Sequence, residues 1–205
     1  MSLRSIDPPR TAPGSPLIAH VFVYGTLRRG QCREGCWPRP PLHVATGFVQ
    51  AELFDLGPYP AILVGKDWVC GECWTLREED VEETLRVLDA IEGFAQPGED
   101  DLYVRRVVDI LTAPPPATAP DARSQDAPVH ASSVRGYAYF LVAERLPSFA
   151  RRIAARAHPE LAGLNAPAGG AGRVYACWPD DGRTVAETSS LPDPFDAPPA
   201  ADPAP

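Results

Sequence analysis

His20-Val-Phe-Val-Tyr-Gly-Thr-Leu-Arg-Arg-Gly30 is the stretch on which the reading of this chain turns. Val21 to Tyr24 is a short run of β-branched and aromatic residues, and it breaks at Gly25. A short apolar run ended by glycine reads as a buried strand feeding a sharp turn. At such a turn successive backbone N–H groups can point to one side and cradle an anion or a developing oxyanion. Gly25, lacking a Cβ, is where a ligand can approach the backbone. The pattern by itself leaves a second reading open, an ordinary strand followed by a surface loop.

Composition bounds what surrounds this stretch. The chain has 205 residues, room for one sizeable core with appendages. Fifteen of its 25 prolines fall in Met1–Pro16, Pro114–Pro128 and Leu191–Pro205, stretches poor in large apolar residues. Such segments cannot offset their ordering entropy by burial. The expectation is a flexible arm over 1–17 and one domain over 18–180, with a disordered insertion at 113–133 and a disordered tail over 181–205. A net charge of −8 argues against a nucleic-acid or anionic-membrane partner, each of which calls for a basic face. There is no run of 18 apolar residues, and Met1–Pro16 has no apolar signal core, so a soluble cytoplasmic protein is expected. Five cysteines, an odd number, suit reduced thiols in that compartment.

In chain order, Gln31–Leu42 reads as an irregular loop, and Val44–Leu56 alternates like one or two strands. Gly57-Pro-Tyr-Pro60 is a turn signal; Tyr59-Pro60 reads as a plain turn, with the mouth of a pocket as the second possibility. Ala61–Val64 and Trp68–Leu76 follow as separate strands. Thr75-Leu-Arg-Glu78 has the capping-box pattern and predicts a helix to Ile91 or Glu92, closed by Gly93 in a left-handed turn. Tyr103–Leu111 and Val134–Ala143 read as strands, Pro147–His158 as a helix extended by Pro159–Leu164, and Gly172–Trp178 as a last short strand. Antiparallel strands around one or two helices make an α+β fold, a small curled sheet or β-barrel with flanking helices.

The helix carries the sharpest anomaly. Val81, Leu85 and Leu88 repeat at i, i+4 and i+7, and the same face continues to Glu92 at i+11. Glu78, Glu79, Glu82, Glu83, Arg86 and Asp89 read as a solvated, ion-paired surface. Glu92 lies in phase with the core stripe and at the negative end of the helix, so its pKa should be raised. A carboxyl titrating near neutrality suits general acid–base catalysis. The competing possibility is a frayed last turn with Glu92 facing outward.

These residues, taken in order, carry a resemblance. Tyr24-Gly-Thr-Leu-Arg-x-Gly30, Gly71-Glu72 in a strand, Leu88-Asp-x-x-Glu-Gly93, Tyr103-x-Arg105 and Tyr139 together resemble the γ-glutamylcyclotransferase-like family in its AIG2-like branch, over Val21–Val142. The resemblance implies a small barrel with flanking helices, and Glu92 as acid–base residue. It further implies substrate binding through the loop amides of Gly25, Thr26 and Leu27, and release of 5-oxoproline from a γ-glutamyl amine by intramolecular cyclisation. Tyr24, Tyr103 and Tyr139 are candidate hydrogen-bonding walls, and Arg105 orients the site or pairs with an acid. Core packing is the simpler reading for Tyr137, which shares the strand face of Tyr139. The implied partner is a small γ-glutamyl compound and the implied cofactor is none; oligomeric state is left open. The insertion at Pro114–Ser133 and everything after Leu146 depart from the family pattern.

Other constellations are weaker. Cys70-Gly-Glu-Cys73, with Cys32 and Cys36 upstream, invites a zinc or redox reading. An odd offset of three within a strand sends Cys70 and Cys73 to opposite faces, so no metal site is expected. The four histidines lack ligand spacing, and no Lys-Ser/Thr follows Gly25 and Gly30 as a phosphate loop requires. Two rivals to the cyclotransferase reading stand: a barrel that binds a small amino-acid derivative without turning it over, and a transferase or hydrolase acting on another amide bond.

Overall fold

The computed structural model describes residues 17–95, 101–115, 133–157 and 174–179, and all but the last residue of the expected arm, most of the expected insertion, the tail and Pro159–Leu164 lie outside them. Five strands form the framework: β1 (His20–Val23), β2 (His43–Asp55), β3 (Pro60–Thr75), β4 (Tyr103–Leu111) and β5 (Ser133–Leu141). They run in the order β3-β1-β5-β4-β2, and β2 pairs back onto β3, which closes a barrel. β1 and β5 are parallel, meeting at Val21 and Tyr137, while the other four pairings are antiparallel. Closure leaves β1, the strand of the deciding stretch, paired on both sides.

Alternation along the strands separates two cores. Phe22, Val49, Leu53, Ile62, Val69, Cys73, Ile110, Ala138 and Phe140 come from all five strands and fill one cluster, the barrel interior. Val21, Val23, Trp74, Tyr139 and Leu141 point the other way, against the single α-helix among the described residues, α1 (Val81–Glu92). α1 buries Val81, Thr84, Leu85 and Leu88, the face its spacing predicts. Gly93 ends it at φ 62° and ψ 41°, and its N–H donates to the Asp89 carbonyl, a left-handed cap that glycine adopts without steric cost.

Four local expectations are corrected. Ala61–Val64 and Trp68–Leu76 are one strand, β3, whose pairing with β2 slips register between Gln50 and Glu52. The slip leaves Val64–Asp67 without register partners on β2 but does not end the strand. The helix does not start at a capping box: Thr75 stays in β3, where its hydroxyl shares a 3.1 Å hydrogen bond with His20 Nδ1. A single 3₁₀ turn over Glu78–Asp80 intervenes, and Asp80 at the N-cap makes no side-chain cap bond. Pro147–His158 is not helical over its described part; β6 (Arg151–Ile153) joins the free edge of β2 and β7 (Arg156–Ala157) pairs with β8 (Val174–Tyr175). Burial of Ile153 in the barrel cluster and ion pairs from Arg151 to Asp55 and Arg152 to Asp67 outweigh the local helix pattern. Asp89, finally, is not part of a solvated face, as its partners below show.

Candidate active site

The chain leaves β1 at Tyr24 and folds immediately into a tight loop. The Gly25 carbonyl accepts from Arg28 N at 3.1 Å, the Thr26 carbonyl from Arg33 N at 3.0 Å, and the Leu27 carbonyl from Trp37 Nε1 at 2.9 Å. All three carbonyls are therefore turned into the loop. The N–H groups of Gly25, Thr26 and Leu27 find no hydrogen-bond acceptor among the described residues. Three successive N–H donors at the edge of a cavity, without an acceptor among the described residues, can accommodate an acceptor from outside the chain.

Two residues of β3 hold this loop in place. Gly71 lies so close to β1 that an added Cβ would sit 2.3 Å from the Val23 carbonyl oxygen, so no larger residue fits. Glu72 receives Arg29 N at 3.0 Å and Arg29 Nε at 3.1 Å, tying the basic segment down. Gly25 itself faces Pro60: an added Cβ would approach Pro60 Cγ to 2.6 Å. The Gly71-Glu72 pair picked out in the sequence is thus the seat of the Tyr24–Gly30 loop.

Glu92, Tyr24, Gly25, Thr26, Leu27, Tyr103 and Tyr139 all line one cavity, together with Arg33, Tyr59, Pro60 and apolar neighbours. Glu92 closes the apolar stripe of α1 from the cavity side and makes no hydrogen bond or ion pair with any described residue. Burial pushes its pKa up to about 7, only partly offset by the positive charge of Arg33. Tyr24 and Tyr103 are driven well above the ordinary phenol range by burial and stay protonated. Tyr24 donates to the Tyr139 carbonyl at 2.9 Å, and Tyr103 to the Pro60 carbonyl at 3.3 Å. Their hydroxyls are therefore engaged with backbone, and their rings form the walls.

Arg105, expected to orient the site or to pair with an acid, is not among the lining residues and pairs with an acid. Its Nη1 grips both oxygens of Asp89, at 2.8 and 2.6 Å, and its guanidinium lies between the Phe94 and Tyr137 rings at 5.5 and 5.2 Å. The Tyr139 hydroxyl donates to the same Asp89 carboxylate at 2.7 Å. An acid one turn from Glu92 is thereby fully engaged, and it fixes a tyrosine of the cavity wall.

Sequence reasoning missed Arg33 and Asp89, and set Tyr59 and Pro60 second to a plain turn. Arg33 sits in a segment read as irregular loop, and no periodicity separates it from Arg28, Arg29 or Arg39. Cys70 and Cys73 fall in different clusters, as their offset requires, and burial raises the Cys73 thiol to about 11. Among the described residues no three His, Cys, Asp or Glu side chains gather as metal ligands.

Comparison with known proteins adds an independent line. The family model described as gamma-glutamyl cyclotransferase, AIG2-like, matches residues 21–145. The chain is 32% identical over 87 residues to the gamma-L-glutamyl-butirosin B gamma-glutamyl cyclotransferase of Niallia circulans, covering 42% of this chain and 53% of that protein. It is 31% identical over 99 residues to the mitomycin biosynthesis 6-O-methyltransferase of Streptomyces lavendulae, covering 47% of this chain and 27% of that one. Each match thus spans about half or less of the curated relative's length. An Arabidopsis thaliana protein known from a solution structure aligns with a TM-score of 0.42 and 19% identity, over 67% of this chain and 77% of its own. No helix among the described residues is long and apolar enough to cross a membrane.

Proposed function

The chain belongs to the gamma-glutamyl cyclotransferase, AIG2-like, family, and we propose that it releases 5-oxoproline from a γ-glutamyl amine or amide, with Glu92 as the acid–base group. One observation carries this reading: a partly buried carboxyl, its pKa pushed up to about 7, lines the same cavity as the Gly25, Thr26 and Leu27 N–H groups, which find no acceptor among the described residues. The name of the Niallia circulans relative assigns that protein the same class of reaction.

The chemistry suits so small a constellation. Glu92 takes a proton from the substrate α-ammonium, and the freed amine attacks the γ-carbonyl carbon of its own side chain. A C–N bond forms and closes a five-membered ring. Negative charge gathers on the former carbonyl oxygen, where the loop amides stabilise it without reorganising. Glu92, now protonated, returns the proton to the leaving nitrogen as the original C–N bond breaks; the carboxylate so restored takes the second proton from the ring nitrogen and passes it to the released amine, which departs as an ammonium. Protons balance within the site, and no outside reactant enters. Tethering of nucleophile to electrophile contributes much of the acceleration, which leaves the protein to supply proton transfer, charge stabilisation and exclusion of water. The aromatic walls of Tyr24, Tyr59, Tyr103 and Tyr139 serve the last purpose.

The test is to incubate the purified protein with a panel of γ-glutamyl amines and γ-glutamyl amino acids and to quantify 5-oxoproline by mass spectrometry. At least one compound should yield it, and Glu92→Gln should lower the rate about a hundredfold or more. No 5-oxoproline from any compound, or equal turnover by the Gln variant, would sink the reading.

A further inference from the structure

Among the described residues lining the cavity, Arg33 is the one cation and Glu92 the one anion. Its backbone N–H is bound to the Thr26 carbonyl, so it is anchored to the same loop that presents the free amides. Its guanidinium rests over the Tyr59 ring, 5.6 Å from the centroid. Stacking on a ring face leaves the edge N–H groups of an arginine available to a planar acceptor. The other arginines of the segment are engaged: Arg28 with the Trp178 carbonyl, Arg29 with Glu72, and Arg39 with Glu83. Arg33 makes no ion pair with any described residue, Glu92 included, yet it is close enough to hold down the pKa of Glu92.

Two opposite charges that share a cavity without touching are suited to a ligand carrying the complementary pair. An α-amino acid is such a ligand, because its ammonium and carboxylate leave the same carbon. We propose that Arg33 binds the α-carboxylate of the glutamyl half while Glu92 faces the α-nitrogen, so that the cavity reads the amino-acid end and the loop amides are left for the γ-carbonyl oxygen. The inference rests on the cyclotransferase reading for its substrate class, and it makes Arg33 a specificity residue. A γ-glutamyl compound whose α-carboxylate is blocked is then a poor ligand, whatever its leaving amine. The pairing also fixes the orientation of the α-amine toward Glu92.

The probe is L-glutamine, which contains the whole glutamyl half, against its α-carboxamide, which lacks only the negative charge. Isothermal titration of the unmodified protein should show L-glutamine bound about 10- to 100-fold more tightly, the range expected for a charge-assisted pair. Arg33→Gln should abolish that preference by weakening L-glutamine alone, and Arg33→Lys should restore part of it. Thermal melts verify that both variants fold. A preference that survives Arg33→Gln, an equal loss of both ligands, or no binding of L-glutamine to the unmodified protein would each overturn the proposal. A preserved preference in the unmodified protein that Arg33→Gln removes, with no 5-oxoproline formed from any γ-glutamyl compound, would sustain Arg33 as the reader and remove catalysis, so the two readings fail separately.

Discussion

Two arginine–carboxylate couples stand at the C-terminal end of α1, and they are built oppositely. Asp89 and Arg105 touch, with the arginine bracketed by rings and the Tyr139 hydroxyl on the same carboxylate. Glu92, three residues on, and Arg33 face one cavity without contact. In the closed couple each charge satisfies the other, and the product is structure: a strand tied to a helix and a tyrosine held in place. In the open couple burial dominates, so the carboxyl pKa is pushed up to about 7 and the guanidinium has no ion-pair partner among the described residues. The same two residue types thus make a brace in one place and a candidate reaction site in the other, and the difference is contact.

The strongest way to test that contrast is to make the same exchange in both couples. Glu92→Gln should cost about a hundredfold or more in 5-oxoproline release, whereas Asp89→Asn should cost less than about tenfold and should act mainly through stability. Comparable losses at both positions would show that the brace takes part in the chemistry.

The open couple also predicts a pH signature in stability. With a carboxyl at about 7 in the fold and an ordinary value of 4.5, the folded chain holds more protons than the unfolded chain between those values. Stability must therefore fall as pH rises through that window. Glu92→Gln removes the penalty, so its advantage should be near zero below pH 4.5 and level off above about pH 7, reaching at most ~3 kcal/mol. Denaturant melts of both proteins from pH 4 to 8 measure it, and an advantage independent of pH would contradict the burial argument. Turnover should rise across the same interval, because the reaction starts from the carboxylate.

Breaking the closed couple should give a somewhat smaller change, of one sign. Asp89→Ala leaves a half-buried guanidinium and a tyrosine hydroxyl without their acceptor, and should destabilise by about 2 kcal/mol at pH 7. Urea unfolding measures this, and a neutral result would mean that solvent replaces the pair without loss. The smallest effect belongs to Tyr139→Phe, which removes one hydroxyl from the brace and should cost about 1 kcal/mol. If its turnover fell as far as that of Glu92→Gln, the Tyr139 hydroxyl would have to act on the substrate itself.

Local pattern alone determined a good part of this protein. The break at Gly25, the apolar phase that runs from Val81 to Glu92, and the cap at Gly93 are set by residues within one turn or one strand of each other. Periodicity and glycine punctuation report such relations directly. The ordered residues from Tyr24 to Tyr139 carried the family as well, and Gly71 now has its reason in the Val23 carbonyl that leaves no room for a Cβ. Tertiary structure alone decided how the charges pair. Nothing local separates Arg28, Arg29 and Arg33, yet one reaches Trp178, one reaches Glu72, and one faces the cavity. Asp89 looked like its solvated neighbours until barrel closure brought Arg105 and Tyr139 against it. β6 replaced an expected helix because the edge of β2 and the acids Asp55 and Asp67 were waiting for it. Each of these partners lies 16 or more positions away in the chain. Ion pairs and strand edges at that range have no period to read; they exist only once the sheet has closed.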